Sequence, residues 1–87
     1  MNWVPWAVQW SVHAQKDLTR LSPDVHQRVV EAVRTYASSG HGDIKKIKGE
    51  PGVFRMRVGD WRVLFGSNRK THELLIHRVE NRDHVYD

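Results

Sequence analysis

Val53-Phe54-Arg55-Met56-Arg57-Val58-Gly59-Asp60-Trp61-Arg62-Val63-Leu64-Phe65 is the stretch that decides the fold, with two apolar-rich runs on either side of a Gly-Asp pair. A two-residue insert with Gly first closes a β-hairpin tightly. With Gly59-Asp60 as the loop, Val58 falls opposite Trp61, Arg57 opposite Arg62, Met56 opposite Val63, Arg55 opposite Leu64 and Phe54 opposite Phe65. Residues directly opposite share a face, and side chains alternate along each strand. One face therefore carries Phe54, Met56, Val58, Trp61, Val63 and Phe65. The other carries Arg55, Arg57 and Arg62, with Leu64.

The arginine face needs a reason. Like charges directly opposite one another weaken a strand pair by a few tenths of a kcal/mol up to roughly 1 kcal/mol, and Thr or Glu opposite Arg57 would avoid that. Two readings fit: a solvated outer face covered by arginine stems, or three guanidinium groups converging on an anion. Arginine suits phosphate because its planar fork donates paired hydrogen bonds and its charge does not titrate away.

The pattern outward from the hairpin predicts one domain, residues 1–87. Trp6, Val8, Trp10 and Val12 alternate with smaller or polar residues, which predicts a first strand with Pro5 at its start. Three of the four tryptophans (Trp6, Trp10 and Trp61) fall on apolar faces, so core packing is preferred to base stacking for them. Ala14, Leu18 and Leu21 recur at helical spacing. Ser22-Pro23 then opens a second helix as N-cap and first helical residue. Its stripe is Val25, Val29, Ala32, Val33 and Tyr36, and Ser38-Ser39-Gly40 stops it. Two helices with one apolar stripe each can lie antiparallel on one sheet face. Arg20, Arg28 and Arg34 go to the wet side.

After a loop from Gly40 to Asp43, Ile44 to Gly52 reads as a connector kept soluble by Lys45, Lys46 and Lys48. Those lysines also extend the positive surface ahead of the hairpin and are candidates for tracking a phosphate backbone. Glu73 to Val79 predicts a third strand of a meander, of ambiguous parity. Leu74 and Ile76 face the core with His77 on the arginine face, or Leu75 and Val79 face inward.

The chain carries a net charge of +4 with a pI of about 9.9, which favours a polyanionic partner. It has no cysteine, so disulfides and thiolate chemistry are excluded. The opening residues lack a basic region and a continuous apolar run, which predicts neither a signal peptide nor a membrane span, and a cytoplasmic protein. His72 and His77 are five apart, hence on opposite strand faces, and no HExxH motif is present, so no metal is expected. No cofactor is expected. No Ser-His-Asp nucleophile motif is visible.

A strand, a helical hairpin, the block Lys48-Gly-Glu-Pro-Gly-Val-Phe-Arg-Met-Arg-Val-Gly-Asp-Trp-Arg-Val63 and the terminal Arg82-Asp-His-Val-Tyr86 together resemble the RelE/ParE toxin superfamily of bacterial type II toxin–antitoxin systems, RelE-like branch. The resemblance spans nearly the whole chain. It implies an α+β fold, a small twisted antiparallel sheet with an N-terminal helical hairpin packed on one face. It implies metal-independent cleavage of messenger RNA on the ribosome, with a cognate antitoxin as partner in a hetero-oligomer. Arg62 then corresponds to the arginine holding the scissile phosphate. Arg55 and Arg57 stand where basic residues, often lysines, surround it, and Arg82 and Tyr86 match the terminal motif. Because arginine does not deprotonate, proton transfer falls to Tyr86, His84 or His77, or catalysis rests on electrostatics. Two other functions stay open: a ParE-like inhibitor of DNA gyrase, and a non-catalytic nucleic-acid-binding module for which the basic face alone suffices.

Overall fold

The computed structural model describes residues 3–81. The chain runs β1 (Ala7–Trp10), α1 (Val12–Thr19), α2 (Pro23–Ser39), β2 (Asp43–Lys46), β3 (Phe54–Val58), β4 (Trp61–Asn68) and β5 (Glu73–Asn81). The strands form one sheet in the order β1-β5-β4-β3-β2. β2 to β5 make the antiparallel meander, and β1 joins it parallel to β5, from Ala7 opposite Glu73 to Trp10 opposite Ile76.

The hairpin has the register its sequence dictates, Val58 opposite Trp61 through Phe54 opposite Phe65. Gly59 turns it with a φ of 60°, the left-handed value that the first central position of a type II′ turn requires. The core lies between this apolar sheet face and the helices. It contains Ala14 and Leu18 from α1, Val29, Val33 and Ala37 from α2, and Met56, Val63, Phe65, Leu74, Ile76 and Val79 from the sheet. Trp6, Trp10, Trp61, Phe54 and Val58 pack against it as half-buried rim residues rather than at its centre.

The helix boundaries follow from local chemistry. Ser11 Oγ accepts from the Ala14 N–H to cap α1, and Ser22 Oγ accepts from the Val25 N–H to cap α2, with Pro23 in the first helical position. α2 ends at Gly40, which donates its N–H to the Tyr36 carbonyl and whose left-handed φ of 81° turns the chain out of the helix. Val12, expected to finish the first strand, instead opens α1 and is 67% exposed. The Ser11 cap overrides the alternating pattern there.

Two further expectations need correction. The lysine-rich connector contains a strand: Asp43 to Lys46 pairs with β3, Ile44 lying opposite Met56 and Lys45 opposite Arg55. β5 obeys both of its candidate parities in turn. Leu74, Ile76 and Val79 are all buried, because the pairing with β4 shifts between Leu64 (opposite Arg78) and Phe65 (opposite Ile76), leaving His77 as the extra residue of a bulge.

β1 covers only the first half of β5, so the second half is an edge. Ser11 closes the gap at its start, its N–H donating to the Ile76 carbonyl and its hydroxyl to the His77 carbonyl. Asp17 of α1 closes the next position: Oδ2 accepts from the Val79 N–H at 2.9 Å and from Arg78 Nε at 2.9 Å. Burial pushes the Asp17 carboxyl up. The Arg78 hydrogen bond, the Val79 N–H and the charges of Arg78 and Arg20 outweigh it and hold the carboxyl below its ordinary value. The N-terminal segment is tied down by a parallel stack of Trp6 on His72, centroids 3.9 Å apart, and by Trp3 Nε1 donating to the Ala37 carbonyl.

Candidate functional site

The face of the sheet away from the helices is read directly from the strand registers. Across the strands one row is Asp43, Arg57, Arg62 and Glu80, and the next is Lys45, Arg55, Leu64 and Arg78. Arg55, Arg57 and Arg62 therefore stand together on one face, on two adjacent strands of a tight hairpin. The like-charged pair Arg57–Arg62 is bracketed, because the outer strands place Asp43 opposite Arg57 and Glu80 opposite Arg62. Cross-strand partners of opposite sign offset the repulsion between the two central cations. These carboxylates lie in the flanking strands, so the middle of the face stays cationic.

The individual environments differ. Arg55 is largely covered, with a side-chain exposure of 17%, and its Nη1 is buried without a hydrogen bond, 3.6 Å from Asp43 Oδ1. That distance is an ion pair and not a hydrogen bond, and Asp43 itself is 54% exposed. Arg57 is exposed, and its Nε donates to the Gly59 carbonyl at 3.4 Å, which draws the side chain along its own strand toward the turn. Arg62 is half-buried. Arg78 leaves the group: it turns round the strand edge onto Asp17, and the Asp17 hydrogen bond raises its pKa further.

Of the three lysines, Lys45 lies on the arginine face beside Arg55. Lys46, opposite Phe54, has the parity of the helix-side face, and Lys48 sits in the following turn; all three are exposed. The structure thus separates a group that proximity in sequence had joined. Arg82, His84 and Tyr86 lie outside the described residues. His77 is one of three proton-transfer candidates in the sequence, and alternation with buried Leu74 and Ile76 puts it on the arginine face. Its Nε2 lies 3.2 Å from where a Cβ on Gly66 would be, and Gly52 O lies at the same distance. Gly66 alternates with buried Phe65, so the imidazole rests over the arginine face.

Among the described residues no cluster of three His, Cys, Asp or Glu side chains is placed to hold a metal ion, and no helix is long and apolar enough to cross a membrane.

No protein-family model matches the sequence, and neither does any curated protein. Solved structures do. The toxin–antitoxin complex RelBE2 from Mycobacterium tuberculosis matches with a TM-score of 0.80 and 30% identity, over 91% of this chain and 100% of that one. The chain belongs to the RelE-like toxin family. The RelB–RelE complex from Methanococcus jannaschii (27% identity, TM-score 0.73, covering 90% of this chain and 94% of that one) is similar as well. So is the archaeal RelE–RelB complex from Pyrococcus horikoshii, for which the likeness at 22% identity is one of fold (TM-score 0.75, covering 91% of this chain and 97% of that one). The expected α+β architecture of a RelE-like toxin is thus the observed one, with the parallel β1 making its sheet mixed.

Proposed function

We propose that this RelE-like toxin is a metal-independent endoribonuclease that cleaves messenger RNA on the ribosome and so arrests translation. The observation that carries the reading is the grouping of Arg55, Arg57 and Arg62 on one sheet face, on two adjacent strands, with Asp43 at its edge as the ion-pair partner of Arg55.

The chemistry suits those groups. Attack of a ribose 2′-hydroxyl on the adjacent phosphorus passes through a pentacoordinate phosphorane carrying extra negative charge. Guanidinium donors fixed on a sheet are already in place when that charge develops, and one such donor is worth about 10²–10³ in rate. Arg62, at the centre of its row, holds the phosphate; Arg55 and Arg57 surround it. Lys45 extends the cationic track along the backbone, with Lys46 and Lys48 at its margin. The family resemblance adds Arg82 as a further phosphate donor, and Tyr86 and His84 beside the reacting nucleotide, where Tyr86 can stack on a base. The protein acts in the cytoplasm, where its substrate is. The RelBE2 and RelB–RelE structures are complexes of toxin with antitoxin, which supports a cognate antitoxin as the partner that holds this chain inactive in a hetero-oligomer.

The test is cleavage of a message on programmed ribosomes. Arg62→Ala lowers the single-turnover rate by about 10²-fold or more with folding intact; a rate equal to wild type overturns the assignment. A supercoiling assay run beside it separates the gyrase reading, which alone predicts inhibition there.

A further inference from the structure

The arginines explain how charge is stabilised and leave the 2′-hydroxyl proton without a destination, since a guanidinium does not accept one. We propose that the His77 imidazole is the group that takes it. This rests on the nuclease reading and goes beyond it by assigning the proton acceptor.

Three observations place His77. Alternation with buried Leu74 and Ile76 puts it on the arginine face, and the register shift between Leu64 and Phe65 leaves it as the unpaired residue of β5. Its ring lies across Gly66, Nε2 being 3.2 Å from the position a Cβ would take. Any side chain at residue 66 would displace the ring, and the glycine is what lets it lie against the sheet. Arg55 is directly opposite Leu64, so Gly66, two residues further along β4, is a diagonal neighbour of Arg55. Diagonal neighbours are about 7–8 Å apart, within reach of long side chains. The Arg55 guanidinium leans the other way, onto Asp43, so the two groups flank a span that one nucleotide can bridge, with the imidazole at the 2′-oxygen and the guanidinium at the phosphate.

Imidazole also has the right chemistry, being the side chain that ordinarily changes charge between pH 5 and 8. Among the described residues, the other ionisable groups that the registers place on this face are Asp43 and Lys45 from β2, Arg55 and Arg57 from β3, Arg62 from β4, and Glu73, Arg78 and Glu80 from β5. In the step itself, neutral Nε2 takes the 2′-hydroxyl proton as O2′ bonds to phosphorus. The bond from phosphorus to the 5′-oxygen breaks, leaving a 2′,3′-cyclic phosphate. Water protonates the departing 5′-oxygen, and the imidazolium returns its proton to the hydroxide so formed.

The experiment compares wild type, His77→Gln and His77→Ala in single-turnover cleavage on programmed ribosomes from pH 5 to 8, with RNA binding measured in parallel. His77 is exposed, so both variants keep the wild-type melting temperature. We expect a loss of about 10²-fold in rate, unchanged binding, disappearance of the rise in rate with pH, and partial recovery of His77→Ala by added imidazole. A variant as fast as wild type, or a slow one that keeps the wild-type pH profile and ignores imidazole, overturns the assignment and leaves the nuclease reading standing. A wild type that cuts nothing at any pH overturns both.

Discussion

Replacing Asp17 by Ala should cost this domain a large part of its stability, although the residue lies outside the arginine face. Asp17 is buried at 8% exposure, and its carboxylate meets one buried backbone donor, the Val79 N–H at 2.9 Å, and one partly exposed cation, Arg78. Removing the acceptor strands the buried N–H, at a cost of about 1–3 kcal/mol. The Arg78 side chain is 46% exposed, so solvent screening reduces its share to roughly 0.5–1 kcal/mol. The sum, about 2–4 kcal/mol, is a substantial fraction of the roughly 5–15 kcal/mol typical of a whole domain. At about 4–8 °C per kcal/mol for a chain of this size, the melting temperature falls by about 8–32 °C. Urea unfolding of wild type, Asp17→Ala, Asp17→Asn and Arg78→Ala checks the magnitude, and hydrogen exchange at the Val79 amide checks the mechanism. Asn keeps an acceptor for the amide and should lose about half as much as Ala. If Asp17→Ala and Arg78→Ala cost the same and the Val79 amide exchanges no faster, the edge bond contributes nothing and the reasoning is wrong.

The same carboxyl gives a pH dependence with a definite sign. Its folded pKa lies below the ordinary value, so its contribution is present above the unfolded pKa of about 3.9 and is lost as pH falls through the folded value. Wild type should therefore lose urea resistance below about pH 4 more steeply than Asp17→Asn; parallel curves would refute this. Gly66→Ala puts a methyl group 3.2 Å from both Gly52 O and His77 Nε2, and thermal melting should register about 1–3 kcal/mol of destabilisation. Ser22→Ala removes the cap of α2 and should cost about 1 kcal/mol by the same measurement. Nucleic-acid affinity should fall steeply with salt, and Arg57→Ala should reduce the slope of log K against log salt by about 1; an unchanged slope would mean Arg57 meets no phosphate.

The hairpin was legible because three signals agree there: alternation in both strands, a Gly-first turn, and a register that sorts every side chain. Its arginine face followed without coordinates. Asp43 and Glu80, which bracket the central cations, could not be read the same way, since each depends on a neighbouring strand. β2 was hidden because Ile44 alone marks its buried side and Lys45 and Lys46 give it the composition of a loop, as charged edge strands often have. In β5 the bulge changes the parity midway, so neither single-period reading was sufficient. Asp17 falls three residues after Ala14, in an otherwise apolar helix stripe. Nothing in the sequence announces that β1 stops short and leaves the Val79 amide for it.

The pairing of β1 with β5 also sets an order of events in time. Ala7 meets Glu73 and Trp10 meets Ile76, so the earliest strand of the chain docks on the latest one described. Ribosomes add about 5–20 residues per second, which keeps the first strand without its partner for several seconds of every synthesis. Such distant pairing slows folding, and the bulge that carries His77 forms only when β5 finds β4. A nascent chain therefore completes the β5 side of its arginine face last, after the helices and the hairpin have already left the ribosome.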